Sequence, residues 1–155
     1  MTDLNPIIAD RFTEHLEVFG KTMEHMDTIQ EIAYRCKAAL DNGNKILFCG
    51  NGGSAADSQH LAAELIGRFK KERRSFAAVA LTTDTSALTA IANDYDFDAV
   101  FARQVEGLGR TGDVLIGIST SGNSKNVVKA AEMARSIGMH TIAFTGEGGG
   151  KLAEL

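Results

Sequence analysis

Lys45-Ile46-Leu47-Phe48-Cys49-Gly50-Asn51-Gly52-Gly53-Ser54 passes from a short apolar run directly into glycines and a helix-starting serine. Asp113-Val114-Leu115-Ile116-Gly117-Ile118-Ser119-Thr120-Ser121-Gly122-Asn123-Ser124 repeats the arrangement, with hydroxyls in place of glycines. Each reads as a strand, a loop of small residues and the start of a helix. Further apolar runs at 77–81 and 141–144 read as strands buried on both faces. Helical stretches are expected at 54–68, 86–92, 97–108 and 124–137. Strands alternating with helices predict a parallel sheet covered on both faces, an α/β doubly wound fold. In such a sheet ligands bind beyond the carboxyl ends of the strands where the winding reverses, so the two loops are expected to face one crevice.

Two helices are expected ahead of the first strand. Asn5-Pro6 offers an N-cap and a proline at the first helical position. Ile8, Phe12, Leu16 and Phe19 recur at helical spacing, then Ile29, Ile32, Cys36 and Leu40 before Asn42-Gly43. Their apolar stripes exceed what one small sheet covers, which predicts an oligomer. No linker or low-complexity tract divides the chain, so residues 1–155 are read as a single domain. After Phe144 the run Thr145 to Gly150 leads to Lys151 and Leu155, and the layer reads as lacking a further strand and helix.

Composition narrows the classes. The 155 residues are 44% apolar and 23% charged, the balance of a globular protein. No apolar run approaches the roughly 20 residues that span a bilayer, and no signal sequence opens the chain, so a cytoplasmic location without membrane attachment is expected. A formal net charge of -4 speaks against a nucleic-acid-binding surface, and the run Lys70, Lys71, Arg73, Arg74 is read as a solvated helix end. Cys36 and Cys49 are read as reduced core thiols.

Ser119, Thr120, Ser121 and Ser124 place four hydroxyls before a helix, whose free N–H groups and positive dipole end suit a phosphate. The plainer reading is a polar turn with Ser124 as N-cap. Gly50, Gly52 and Ala55 match the G-x-G-x-x-A dinucleotide pattern, but the acidic residue that pattern wants about 20 positions on, at the end of the next strand, is missing: that strand ends at Leu81, and Thr82, Thr83 and Asp84 follow well beyond the spacing. The glycines instead let backbone approach a smaller polar ligand. His60 and Glu64, four apart on the following helix, share a face. The pair reads first as an ordinary surface pair; a carboxylate there can also take a proton beside a sugar carbonyl, and the imidazole can take a metal, although two ligands are too few for a tight zinc site. Asn93-Asp94 is either a helix stop or a grip for sugar hydroxyls. His15, His25 and His140 lie outside these loops and their helices.

Together, residues 49–57, His60, Glu64, residues 92–94 and residues 112–124 resemble the sedoheptulose 7-phosphate isomerases, or phosphoheptose isomerases, of the sugar isomerase domain superfamily. The resemblance implies isomerisation of sedoheptulose 7-phosphate to D-glycero-D-manno-heptose 7-phosphate through an enediol, the first step toward the activated heptose of lipopolysaccharide. It implies phosphate binding by Ser119, Thr120, Ser121 and Ser124, and substrate contacts from Asn51, Gly52, Gly53, Glu64, Asn93 and Asp94. Glu64 corresponds to the catalytic base, and His60 with Glu64 to two ligands of one zinc ion per subunit. A homotetramer with sites between subunits is also implied. The remaining zinc ligands and the second acid/base, a Gln and a His on a C-terminal helix of that family, have no counterpart here, and the chain is read as truncated. Two alternatives stand beside the enzyme: a relative that associates with the replication initiator without isomerase activity, and a sugar-phosphate-sensing regulatory domain.

Overall fold

The computed structural model describes residues 4–155. One compact unit ends at Tyr34 and a second runs from Arg35 to Leu155. In the first, helix α1 (Asn5–Thr22) carries Pro6 in its first turn, and a short 3-10 turn (Met23–His25) leads into α2 (Met26–Asp41). None of the α1 side chains is buried. Ile8, Phe12, Leu16 and Phe19, the stripe read from the sequence, are all exposed.

The second unit is built on β1 (Ile46–Gly50), β2 (Ala78–Ala80), β3 (Val114–Ser119) and β4 (His140–Thr145). They form one parallel sheet in the order β2-β1-β3-β4. Helices α3 (Gly53–Ile66), α4 (Thr85–Asp94), α5 (Val100–Leu108) and α6 (Lys125–Ile137) connect them, with a 3-10 turn at Phe97–Ala99 before α5 and another at Gly150–Glu154 after β4. The expected α/β fold is therefore present. The alternating Cβ direction of a strand sorts its residues onto two faces. Leu47, Cys49 and Leu115 join Val100, Phe101, Val105, Val127 and Ala130 on one side. Ile46, Phe48, Val114 and Ile116 join Leu40 and Ala62 on the other.

The expectation that all four strands are buried on both faces holds for β1 and β3 only. The three-residue β2 exposes Val79, and β4, an edge strand, exposes His140 and Phe144. Central strands are covered by helices on both faces, whereas an edge strand is covered only as far as the flanking helices reach. Cys49 is fully buried and burial pushes its thiol up to about 12, while the half-buried Cys36 thiol is also raised. Neither has the lowered pKa of a reactive cysteine.

At the amino-terminal edge of the sheet, Asp113 is 1% exposed. Its carboxylate accepts from the Lys45 amide at 3.0 Å, Lys45 Nζ at 2.5 Å, the Arg110 amide at 2.8 Å and Asn44 Nδ2 at 3.2 Å. Burial works to raise its pKa, but the hydrogen bonds from Lys45, Asn44 and Arg110 together outweigh it and hold the carboxyl below its usual value. A carboxyl depressed in the folded state stabilises fully above its unfolded pKa, near 4, and loses that contribution as pH falls through the folded value. Urea unfolding at pH 7 should show Asp113→Ala about 3 kcal/mol less stable. The deficit should shrink below about pH 4, where the parent loses the same contribution.

Candidate active site

The sheet order places the switch in winding between β1 and β3, because the chain leaves β1 for β2 on one side and returns to add β3 and β4 on the other. The register runs Ile46↔Val114 to Gly50↔Ile118, so the loop after β1 and the loop after β3 leave the sheet side by side. This is the crevice the sequence predicts. Gly50 is needed there because a Cβ would lie 2.7 Å from the Cβ of Ser54 and 2.9 Å from the Ile118 carbonyl oxygen. Only a residue without a side chain lets the first loop turn so tightly beside β3.

The second loop carries the hydroxyls as expected. Ser119 is buried and its Oγ donates to Ser124 Oγ at 2.9 Å, while Thr120 and Ser121 are exposed. Ser124 stands at the N-cap of α6, but its side chain makes no capping hydrogen bond. The cap is thus not what the hydroxyl serves. Among the described residues the backbone N–H groups of Thr120, Ser121, Ser124 and Lys125 meet no acceptor. Unpaired donors and hydroxyls at the positive end of a helix are the chemistry of an oxyanion site.

The loop is held from behind by the segment after β4. Gly146 N donates to Thr120 O at 2.9 Å, Leu152 N to Gly122 O at 3.1 Å and Lys151 N to Asn123 Oδ1 at 3.1 Å. A hollow of about 160 Å³ opens beside the first loop, lined by Gly50, Asn51, Gly52 and Ala55 with Thr82, Leu88, Phe97 and Phe101. Of these, Thr82, Leu88, Phe97 and Phe101 have no signal in the sequence, because they converge only through the packing of α4 and α5.

His60 and Glu64 share a face of α3, His60 Nε2 lying 3.6 Å from Glu64 Oε1, with the imidazole 73% and the carboxylate 33% exposed. The end of this helix is held by Arg73, whose guanidinium donates to the Glu64 carbonyl at 2.8 Å and the Leu65 carbonyl at 3.0 Å and lies over the Phe76 ring. Arg74 donates to the Leu40 carbonyl at 3.2 Å. Lys70 and Lys71 are exposed, as expected of a solvated run, whereas Arg73 and Arg74 are bonded to the protein. The run follows α3, and its two arginines satisfy the carbonyls left open at helix termini, where a cation also suits the dipole.

The structure does not bring every predicted residue together. Glu64 stands eleven positions after Gly53 on α3, roughly 16 Å along the axis. Within one chain the carboxylate is thus remote from the first loop. His60 instead borders a separate shallow hollow with Asp57, Leu61, Ile118 and Phe144. Asn93 and Asp94 are exposed at the end of α4, with Asn93 Nδ2 donating to Asp94 Oδ1 at 3.0 Å. The turn after them is tied to α6 by Lys125–Asp98 and Lys129–Asp96 pairs at 3.7 and 3.5 Å. Among the described residues no side-chain hydrogen bond joins Asn93 or Asp94 to either loop. Among the described residues no three His, Cys, Asp or Glu side chains are grouped to hold a metal.

The sequence pattern of the SIS domain family matches residues 10–146. The chain belongs to the SIS domain family. Similar proteins include the phosphoheptose isomerase of Akkermansia muciniphila, 60% identical over 148 residues that cover 96% of this chain and 75% of that protein. Another is the phosphoheptose isomerase of Aliarcobacter butzleri, 58% identical over 149 residues, covering 96% of this chain and 79% of its relative. The solved structure of phosphoheptose isomerase GmhA from Neisseria gonorrhoeae superposes on this SIS domain with a TM-score of 0.92 at 51% identity, over 99% of this chain and 80% of that one. The membership resolves the G-x-G-x-x-A ambiguity: the first loop belongs to a SIS domain.

Proposed function

We propose that the chain is an aldose–ketose isomerase that converts sedoheptulose 7-phosphate to D-glycero-D-manno-heptose 7-phosphate. The observation that carries this reading is the hydroxyl loop, Ser119 to Ser124, with unspent backbone donors at the start of α6. The extent of the match to phosphoheptose isomerases supports the substrate class. The reaction needs a base to take a proton from C1 of the ketose. The enediolate that results passes the O1 proton to O2 and accepts a proton at C2, leaving an aldehyde at C1. In this reading Glu64 is that base, and Ser119, Thr120, Ser121 and Ser124 hold the phosphate. Asn51, Gly52, Gly53, Asn93 and Asp94 would meet the sugar from the surrounding loops.

Along α3, Glu64 stands roughly 16 Å from the first loop, beyond the reach of a sugar seated against that loop. An assembly reconciles the two: Glu64 serves a substrate held by another subunit, and the exposed apolar face of α1 is covered in a homotetramer. The zinc implied by the resemblance does not fit His60 and Glu64 alone, because a zinc site takes three or four ligands. No helix among the described residues is long and apolar enough to cross a membrane, and the reaction is assigned to the cytoplasm.

Incubation of the chain with sedoheptulose 7-phosphate in heavy water, with and without zinc, should introduce deuterium beside the carbonyl and form the aldose, read by proton NMR. Binding of the sugar phosphate with neither exchange nor product under both conditions would count against an isomerase.

A further inference from the structure

The ladder between β1 and β3 ends at Gly50↔Ile118, and beyond it no backbone hydrogen bond joins residues 51–53 to residues 119–126. One side-chain contact does. Asn51 Nδ2 donates to Asn126 Oδ1 at 2.9 Å and Asn126 Nδ2 donates back to Asn51 Oδ1 at 2.8 Å. Asn126 lies in the first turn of α6, is 3% exposed, and its Oδ1 also accepts from the Val127 amide at 3.0 Å. A buried amide is costly unless its polar atoms are satisfied, and a packed apolar pair would close the same gap without that requirement. What an apolar pair does not supply is direction: two reciprocal bonds fix both the separation and the relative orientation of the loops.

We propose that Asn126 is a positioning residue that clamps the first loop to the phosphate loop, so that a phosphate seated at the start of α6 sets the first loop for the sugar. This rests on the isomerase reading for the identity of the sugar, but the clamp itself depends only on the phosphate loop. Asn126 itself is buried, and acts through Asn51.

The test is a double-variant cycle, Asn51→Ala, Asn126→Ala and both together, titrated calorimetrically with inorganic phosphate and with sedoheptulose 7-phosphate. Phosphate affinity should stay within about twofold in all four proteins. Affinity for the sugar phosphate should fall about tenfold in each single variant and no further in the double, the non-additivity of a pair acting as one unit. Parent-like affinity in Asn126→Ala, losses that multiply in the double variant, or an equal loss of inorganic phosphate would each overturn the clamp. A parent that binds phosphate but not sedoheptulose 7-phosphate would sink the isomerase reading instead. The clamp would then be read from amide hydrogen exchange at residues 50–54. Phosphate should slow exchange there in the parent and not in Asn126→Ala, and equal slowing in both would refute it. A parent that fails to bind phosphate removes the phosphate loop from the site and the clamp with it.

Discussion

Glu64→Gln is expected to lower solvent deuterium exchange into sedoheptulose 7-phosphate by about 10²–10⁴-fold, the range contributed by a positioned general base, while inorganic phosphate binds as in the parent. Gln has the shape of Glu but cannot carry the proton away. The substitution leaves the helix intact, because Arg73 holds α3 through the Glu64 and Leu65 carbonyls and not through the carboxylate. The phosphate ligands lie before α6 and on a different element from Glu64, which itself stands roughly 16 Å along α3 from the first loop, so binding and chemistry separate cleanly. Among the described residues His60 Nε2, 3.6 Å away, remains as the one neighbour within ion-pair distance. Exchange measured by proton NMR alongside phosphate titration distinguishes the outcomes. Persistence of parent-rate exchange would move the base to another residue; joint loss of exchange and phosphate binding would mean that the substitution acts on the fold and not on proton transfer.

What was legible in the sequence followed from local rules, and what was not followed from burial in three dimensions. The runs 46–49 and 114–118 are strands because a sheet covered on both faces admits continuous apolar sequence, and the loops after them announce themselves by residues that fit little else. The remoteness of Glu64 was implicit too, since helix rise alone converts eleven positions into a length. Asn126 was hidden: one residue beyond Lys125 in a polar helix start, it looks like solvent-facing sequence until the fold buries it against Asn51. The Arg73 and Arg74 roles were equally invisible, because a cation that turns back onto a preceding helix has the same sequence as one that faces water. Val79 and His140 show the opposite error, where strand sequence was legible but edge exposure depended on which strands ended up outermost.

The phosphate loop is also the place where a single methyl group should do most damage. Gly122 has φ +64°, and a Cβ there would lie 1.9 Å from the carbonyl oxygen and 2.4 Å from the carbonyl carbon of Gly149. The left-handed conformation costs an L-residue about 1–2 kcal/mol, and the clash is with backbone, which cannot rotate away as a side-chain tip would. Gly122→Ala must therefore push apart two segments that are bonded together by Leu152 N to Gly122 O and Gly146 N to Thr120 O. With a combined cost of about 3 kcal/mol, phosphate affinity should fall on the order of a hundredfold. The core should survive, because Leu47, Leu115 and Val105 pack below the loop and not through it. Gly107→Ala is the matched control: it lies in α5 with nothing within 4 Å of its Cβ, so it should keep parent phosphate affinity and gain up to about 1 kcal/mol of stability. Calorimetric titration with phosphate and thermal unfolding of both variants decide the matter. Retained affinity in folded Gly122→Ala would show that the loop tolerates displacement from the 146–152 segment, and the rigid oxyanion cradle on which the phosphate assignment depends would have to be given up.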